Sequence, residues 1–154
     1  MKYLLGIVVT LIAAPVFVYS QNPAPAQPRT PVSSVVFVDH DKVAAALAKG
    51  GGLVSASDVL VSGSHREKPG QVEVHDNEMD VIYVVDGTAT FVSGGKIVGA
   101  KNNRPGQWLG TDITGGTSQR LVKGDVIVVP AGTPHWFKEV PGPISYYVVK
   151  VIKP

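Results

Sequence analysis

Two short segments, far apart along the chain, carry side chains that bind metal ions. Glu73, His75 and Asp80 lie close together in the first segment, and His135 lies in the second. Imidazole nitrogens and carboxylate oxygens are ligands for divalent ions such as Fe, Mn, Zn and Ni. A fold that brings the two segments together would therefore create a metal site of histidine and carboxylate. The chain has no cysteine, which excludes thiolate ligands and disulfides.

The first segment predicts two strands joined by a short turn. Side chains alternate along a strand, so Glu73 and His75 are expected on one face. Asp80 opens the next strand, and we expect it beside His75 across a hairpin. Registers that use Asn77 or Glu78 in place of Asp80 remain open.

The second segment, residues 124–135, predicts a strand held between two turns. A glycine turn precedes a run of β-branched residues, and a Pro-x-Gly turn follows it, ending at His135. Such a turn determines where the histidine points. The alternative is a loop histidine on an ordinary hairpin.

The elements that must position these residues are predicted to be short strands. Apolar and polar residues alternate from Leu53 onward, and turns rich in glycine and proline separate the strands. We expect one helix, Asp41–Lys49, capped by Asp41, and we interpret the glycine-rich residues 110–116 as a turn. The predicted strands are Val35–Val38, Asp58–Ser64, Gln71–His75, Val81–Val85, Thr88–Val92, Lys96–Val98, Gln107–Leu109, Gln119–Leu121, Val126–Val129, His135–Val140 and Ser145–Ile152.

Composition agrees with one all-β domain. The 154 residues are 44% hydrophobic and 17% charged, which is enough apolar surface for a packed core. The 17 glycines and 12 prolines suit many short strands joined by turns. The net charge of +2 is spread along the chain without a basic stripe, so nucleic acid is not an expected partner.

The first residues predict a targeting segment. A positive start and an apolar run lead to Ser20, so we expect a signal peptide over residues 1–20. A proline-rich linker over 21–31 and a single domain over 32–154 would follow. Cleavage would leave a periplasmic or secreted protein without membrane contact. The alternative is a retained membrane anchor, although the apolar run is short for a spanning helix.

The spacing of both segments resembles the cupin superfamily. The second cupin motif, G-x(5)-P-x-G-x(2)-H-x(3)-N, matches Gly124, Pro130, Gly132 and His135, with Glu139 in the place of the final Asn. The first motif, H-x-H-x(3,4)-E-x(6)-G, keeps its spacing from residue 73 to residue 87. In it Glu replaces the first His, at 73, and Asp replaces the Glu, at 80. The resemblance implies a cupin-type jelly-roll barrel, or double-stranded β-helix, in a small single-domain exported protein.

The resemblance implies a function as well as a fold. His75, Asp80 and His135 would hold a divalent Fe, Mn, Zn or Ni ion, with Glu73 as a possible fourth ligand. A small polar molecule would bind beside the metal in a dioxygenase, isomerase or lyase reaction, with Glu73 or Glu139 as general base. The alternatives are a cupin without metal that binds a sugar or carboxylic acid and does not transform it, and a structural or storage role.

Further residues are candidates for contact with a small molecule. His65 is expected at the mouth of the barrel, and Arg66 is suited to hold a carboxylate with two hydrogen bonds. Gln107 is a candidate for the binding wall. Tyr146 and Tyr147 are consecutive on the last strand, so one of them faces inward; we take Tyr147 as the candidate.

The strand that begins at Asp80 is apolar on both faces. Ile82 and Val84 share the face of Asp80, whereas Tyr83 and its valine neighbours occupy the other face. An apolar outer face needs a cover. We therefore predict a homodimer.

Overall fold

The computed structural model of the protein describes residues 28–153. Within this range one helix and thirteen strands follow one another along the chain. The helix is α1 (His40–Lys49), and the strands are β1 (Gly51–Ser55), β2 (Val59–Arg66), β3 (Val72–His75), β4 (Glu78–Asp86), β5 (Ala89–Ser93), β6 (Lys96–Val98), β7 (Lys101–Arg104), β8 (Gln107–Gly110), β9 (Asp112–Thr114), β10 (Thr117–Leu121), β11 (Val126–Val129), β12 (His135–Glu139) and β13 (Ile144–Ile152).

The strands form two main antiparallel sheets and one small pair. Sheet A has five strands in the order β1-β2-β13-β4-β11, and sheet B has six in the order β10-β5-β12-β3-β8-β7. Strands β6 and β9 pair separately. Crossovers between the sheets produce the double-stranded β-helix, which confirms the predicted all-β jelly-roll fold.

The core lies between the two sheets, and strand alternation selects its members. On β4 the side chains of Asp80, Ile82 and Val84 are buried, whereas Tyr83 between them is 44% exposed. Each large aliphatic side chain buried in this way contributes about 1.5–3 kcal/mol to folding. The core cluster consists of Ile82, Val84, Ala89, Phe91, Leu121, Val129, Phe137, Ile144 and Tyr146.

The segment before the barrel differs from its prediction. Residues Val35–Val38 are not a strand, and the side chains of Val35 and Phe37 are 97% and 85% exposed. A segment with strand propensity forms a strand only beside a partner strand, and residues 28–153 provide none for this segment. The helix begins at His40, and its N-cap is Asp39 and not Asp41.

Three strands were missed by the sequence analysis: β1, β7 and β9. They are glycine-rich or polar, so they lack the alternation that marks a half-buried strand. The interpretation of residues 110–116 as a plain turn is wrong, because β9 lies within them and pairs with β6. This pairing requires Gly110, where a Cβ would collide with the side chain of Ile97.

Helix α1 packs on the outer face of sheet A. A Cβ at Gly63 of β2 would lie 2.7 Å from the Ala46 carbonyl carbon, so the helix approaches the sheet only because residue 63 is glycine. No helix among residues 28–153 is long and apolar enough to cross a membrane. The predicted signal peptide and most of the predicted linker lie outside the described residues.

Candidate metal centre

The metal-binding candidates converge from both sheets. His135 of β12 is paired directly with Glu73 of β3, so both side chains leave sheet B at the same level. His75 lies two residues further along β3, and its ring centroid is 5.2 Å from that of His135. Asp80 reaches them from β4 of sheet A. The expected hairpin between His75 and Asp80 is therefore wrong, because β3 and β4 belong to opposite sheets that face each other.

The distances suit ligands of one ion. Oδ2 of Asp80 lies 3.6 Å from Nε2 of His75 and 3.6 Å from Nε2 of His135. Oε2 of Glu73 lies 3.4 Å from Nε2 of His75. A tetrahedral ion with bonds of about 2.1 Å holds its ligand atoms about 3.4 Å apart. The fold thus brings the donor atoms of the residues predicted from the sequence to the separation that a shared ion needs.

The turn before β12 sets the tautomer of His135. Its Nδ1 lies 3.1 Å from the carbonyl oxygen of Thr133, and a carbonyl only accepts hydrogen bonds. Nδ1 therefore carries the proton, and the Nε2 lone pair faces Asp80. A carbonyl that accepts a hydrogen bond from one ring nitrogen orients the other nitrogen of a metal-binding histidine in this way.

The surroundings of His75 favour a bound metal ion. It is 3% exposed, and neither ring nitrogen has a hydrogen-bond partner among the residues that the structure describes. Buried polar atoms without partners cost free energy and are rare in folded proteins. A cation bound to Nε2 would satisfy one of them, so the residues present fit a divalent metal.

Glu78 and Lys150 complete the cluster. Lys150 was not among the site residues predicted from the sequence. Nζ of Lys150 donates to Asp80 at 2.8 Å to Oδ1 and 3.0 Å to Oδ2. It also forms an ion pair of 3.0 Å with Oε2 of Glu78, which lies 3.5 Å from Nδ1 of His75. The one sequence signal for Lys150 is a charged residue at an inward position of the apolar strand β13.

Burial and charge give the cluster defined protonation states. Burial lowers the pKa of His135, which favours the neutral imidazole that binds metals. Burial raises the pKa of Glu73, but the imidazole of His75 at 3.4 Å, together with His135 and Lys150, outweighs this effect and holds the pKa below its ordinary value of 4.5. Burial also raises the pKa of Glu78, and Lys150 outweighs that effect in the same way.

Two of the remaining candidates lie away from the cluster. Glu139 follows a β-bulge in β12, is exposed, and accepts a hydrogen bond of 2.7 Å from the Thr90 hydroxyl. The bulge removes Glu139 from the face that His135 and Phe137 share, so its position does not support a role as base. His65 faces helix α1, where its Nδ1 lies 2.9 Å from the Ser145 hydroxyl.

The choice of Tyr147 as the inward-facing tyrosine is wrong, because Tyr146 takes that position. Tyr146 is 4% exposed and faces the core, whereas Tyr147 lies opposite Tyr83 on the outer face of sheet A. Gln107 is paired opposite His75, and its side-chain oxygen accepts a hydrogen bond of 2.6 Å from Nε of Arg104. Gln107 thus borders the cluster but is not among the residues that line the cavity beside it, so its place in a binding wall stays a prediction.

A cavity of about 170 Å³ opens beside the cluster between the sheets. Its polar lining includes Ser62 and Ser64 of β2, which sequence reasoning missed although polar residues recur there at every second position. The lining residues are Ser62, Ser64, Glu73, Asp80, Ile82, His135, Phe137, Tyr146, Val148 and Lys150. The donor atoms, the cavity and its polar wall make this the candidate functional site.

Comparison with known proteins agrees with this fold. The family model described as Cupin matches residues 22–149. Among solved structures, BH2720 from Bacillus halodurans superposes with a TM-score of 0.54 at 15% identity, covering 81% of this chain and 87% of that chain. An RmlC-like cupin family protein from Methanocaldococcus jannaschii gives a TM-score of 0.45 at 13% identity, covering 66% and 76%. A search of curated protein sequences found no match.

The match over most of the chain defines the class: this protein belongs to the cupin family. The residues that the structure describes have the double-stranded β-helix fold.

Proposed function

We propose that the protein binds a divalent metal ion between His75, His135 and Asp80, and a small polar molecule in the adjoining cavity. The observation that carries this proposal is His75, which is buried without a hydrogen-bond partner on either ring nitrogen among residues 28–153 and whose Nε2 lies 3.6 Å from the Asp80 carboxylate. Glu73 is the closest additional ligand. The cluster holds three carboxylates and one ammonium, so a divalent cation would balance its charge.

A bound ion would act as a Lewis acid on a carbonyl or carboxylate oxygen. The residues of the chain would supply the proton chemistry. Glu73 is ionised at neutral pH because its pKa is held below 4.5, and it lines the cavity, so it is positioned to accept a proton when it is not a ligand. These properties support a dioxygenase, isomerase or lyase reaction on a small polar substrate.

Metal analysis tests the proposal directly. Protein purified without added metal should contain close to one equivalent of a transition ion by elemental analysis, and the His75→Ala and His135→Ala variants should lose it. His65→Ala is the matched control, because that histidine lies on the other side of sheet A. Metal retained by both site variants, or absent from the parent protein after reconstitution, would overturn the proposal.

Lys150 favours a second candidate, a binding protein without metal. Its ammonium already lies within 3.0 Å of both Asp80 and Glu78, as a metal would. In that case the cavity would bind a sugar or carboxylic acid without transforming it. A parent protein without metal that nevertheless gains thermal stability with such a ligand would support this candidate.

We also propose that the protein is exported, because the first 20 residues have the composition of a signal peptide. N-terminal sequencing of the protein from an expressing cell should begin at Gln21. A retained Met1 in a membrane fraction would support the anchor instead.

A further inference from the structure

The central cavity shares part of its wall with a wider opening beside β2 and the end of helix α1. The opening has a volume of about 760 Å³, and Ser62, Ser64 and Tyr146 line both spaces. These three hydroxyl-bearing residues therefore connect the opening with the wall of the cavity beside the cluster. Arg66 also lines the opening.

Arg66 lies at this entrance with most of its hydrogen-bonding capacity unused. Its Nε donates to the Tyr146 hydroxyl at 3.3 Å, and its guanidinium carbon lies 5.1 Å above the centre of the Phe137 ring. No carboxylate within residues 28–153 forms an ion pair with it. The two terminal nitrogens, Nη1 and Nη2, remain side by side for one planar acceptor.

Gly70 provides the space in which the guanidinium lies. A Cβ at this position would be 2.5 Å from Nη1 and 3.2 Å from Cζ of Arg66. The glycine is itself fixed, because its N–H donates to the Phe137 carbonyl at 3.1 Å and its carbonyl accepts from Nε1 of Trp136 at 2.8 Å. Arg66 is thus held by a ring, a hydroxyl and a rigid backbone, as a preorganised binding group requires.

The charges around the opening favour an anion. Lys49 and Lys68 line it together with Arg66, against the single carboxylate of Glu67. The carboxylate of Glu67 points toward His65, since its Oε1 lies 3.7 Å from Nε2 of that histidine. The cluster deeper in the barrel is acidic, so the anion is favoured at the entrance and not at the centre.

We propose that Arg66, with Tyr146 and Ser64, forms a subsite for the carboxylate of a small organic acid. The inference rests on the proposed function, since the rest of the acid would extend toward the metal. A carboxylate matches the pair of terminal nitrogens with two parallel hydrogen bonds. The 170 Å³ beyond it is the space of a few water molecules, so the acid is small.

A matched pair of probes tests the subsite. Lactate and lactamide differ in the carboxylate alone, and both carry a hydroxyl group for the metal. The Zn²⁺-loaded parent should bind lactate about tenfold more tightly than lactamide in ligand-observed NMR titrations, the value of one charge-assisted contact. Arg66→Met keeps the stem over Phe137 but should bring the two affinities to within about twofold. Arg120→Met, an exposed arginine on β10, should keep the full preference.

Gly70→Ala provides a second variant that keeps the arginine. The new methyl group displaces the guanidinium, so the lactate preference should fall as in Arg66→Met while circular dichroism stays that of the parent. Equal binding of both probes by the parent, or a preference that survives both substitutions, would overturn the subsite. A phosphate affinity above that of lactate would overturn the carboxylate assignment.

The same titrations on protein stripped with EDTA separate this inference from the proposed function. Lactate preference that depends on Arg66 without any metal binding would support the subsite and contradict the metal centre. Metal binding without a preference for lactate would support the metal centre and contradict the subsite.

Discussion

At the scale of single residues, Asp80 connects the two charged parts of the site. Oδ1 makes the shorter contact with Lys150, at 2.8 Å, while Oδ2 lies 3.6 Å from both imidazoles. The ammonium also donates to Oδ2 at 3.0 Å, so it holds the whole carboxylate in place with Oδ2 directed at the imidazoles. Lys150 is therefore a positioning residue, whichever of the two proposed functions holds.

Lys150→Met tests this role. The substitution leaves Asp80 and Glu78 buried without their cation, so we expect the metal-free protein to lose about 2–4 kcal/mol of its free energy of unfolding. A divalent ion should restore more stability to this variant than to the parent, because the ion then replaces the ammonium. Thermal and denaturant unfolding with and without Zn²⁺ measure both quantities.

Lys153→Met is the matched control, since Lys153 is exposed at the end of the chain. It should unfold as the parent does under all conditions. A Lys150→Met variant as stable as the parent without metal would show that the ammonium does not hold Asp80 in place.

The two histidines and Asp80 could be predicted as neighbours because the spacing of their two segments resembles the cupin motifs, although the hairpin expected between His75 and Asp80 was wrong. Lys150 was not predictable in the same way, since its partners are 70 residues away and only the strand pairing brings them together. The prediction of which tyrosine faces inward was wrong for a related reason. Alternation says that consecutive residues face opposite sides, but the register of β13 against β4 decides which side.

At the scale of elements, strands with an apolar pattern were predictable, including the edge strand β11, whereas the polar or glycine-rich edge strands β7 and β1 were not. β7 and β1 lie at the sheet edges, where one neighbour suffices and polar or glycine residues are tolerated. The bulge that turns Glu139 away from the cavity could not be predicted either, because no residue type in this segment marks it. Local pattern thus predicts the buried centre of the barrel better than its borders.

The helix cap provides a test at this scale. Asp39 accepts a hydrogen bond of 3.0 Å from the Lys42 backbone N–H, and this bond holds the pKa of the carboxyl below its ordinary 3.8. Asp39→Ala should lower the melting temperature more than Asp41→Ala, because Asp41 lies within the first turn and does not cap it. Asp39→Asn should retain the cap.

The pH dependence of this cap follows from the lowered pKa. The contribution of the charged carboxylate is complete above about pH 3.8 and is lost as the pH falls through the lower folded-state value. Melting curves of the parent and of Asp39→Ala should therefore converge in acid. A constant difference across that range would contradict the role of the charge.

At the scale of the whole molecule, the two sheets differ in how their outer faces are covered. Beside sheet B, Ile113 of the β6–β9 pair and Val92 of β5 both lie against Gly116, where a Cβ would be 2.7 Å and 3.0 Å from their side chains. Helix α1 covers sheet A at β2 but leaves β4 and β11 open. On this open half Tyr83, Val126 and Val128 are 44%, 61% and 54% exposed, and β11 is an edge strand. Exposed apolar edges are sites of association.

We propose that a second copy of the chain covers this open half of sheet A in a homodimer. The surface contains adjacent valine and tyrosine side chains on paired strands, a composition that a twofold axis can match against itself. Val128→Lys should convert the protein to a monomer in sedimentation and light scattering, because it places a charge at the centre of the contact. Val98→Lys, at an exposed valine on β6, should leave the dimer unchanged. A parent protein that sediments as a monomer at high concentration would contradict the proposal, and these two apolar strands would then be a free surface.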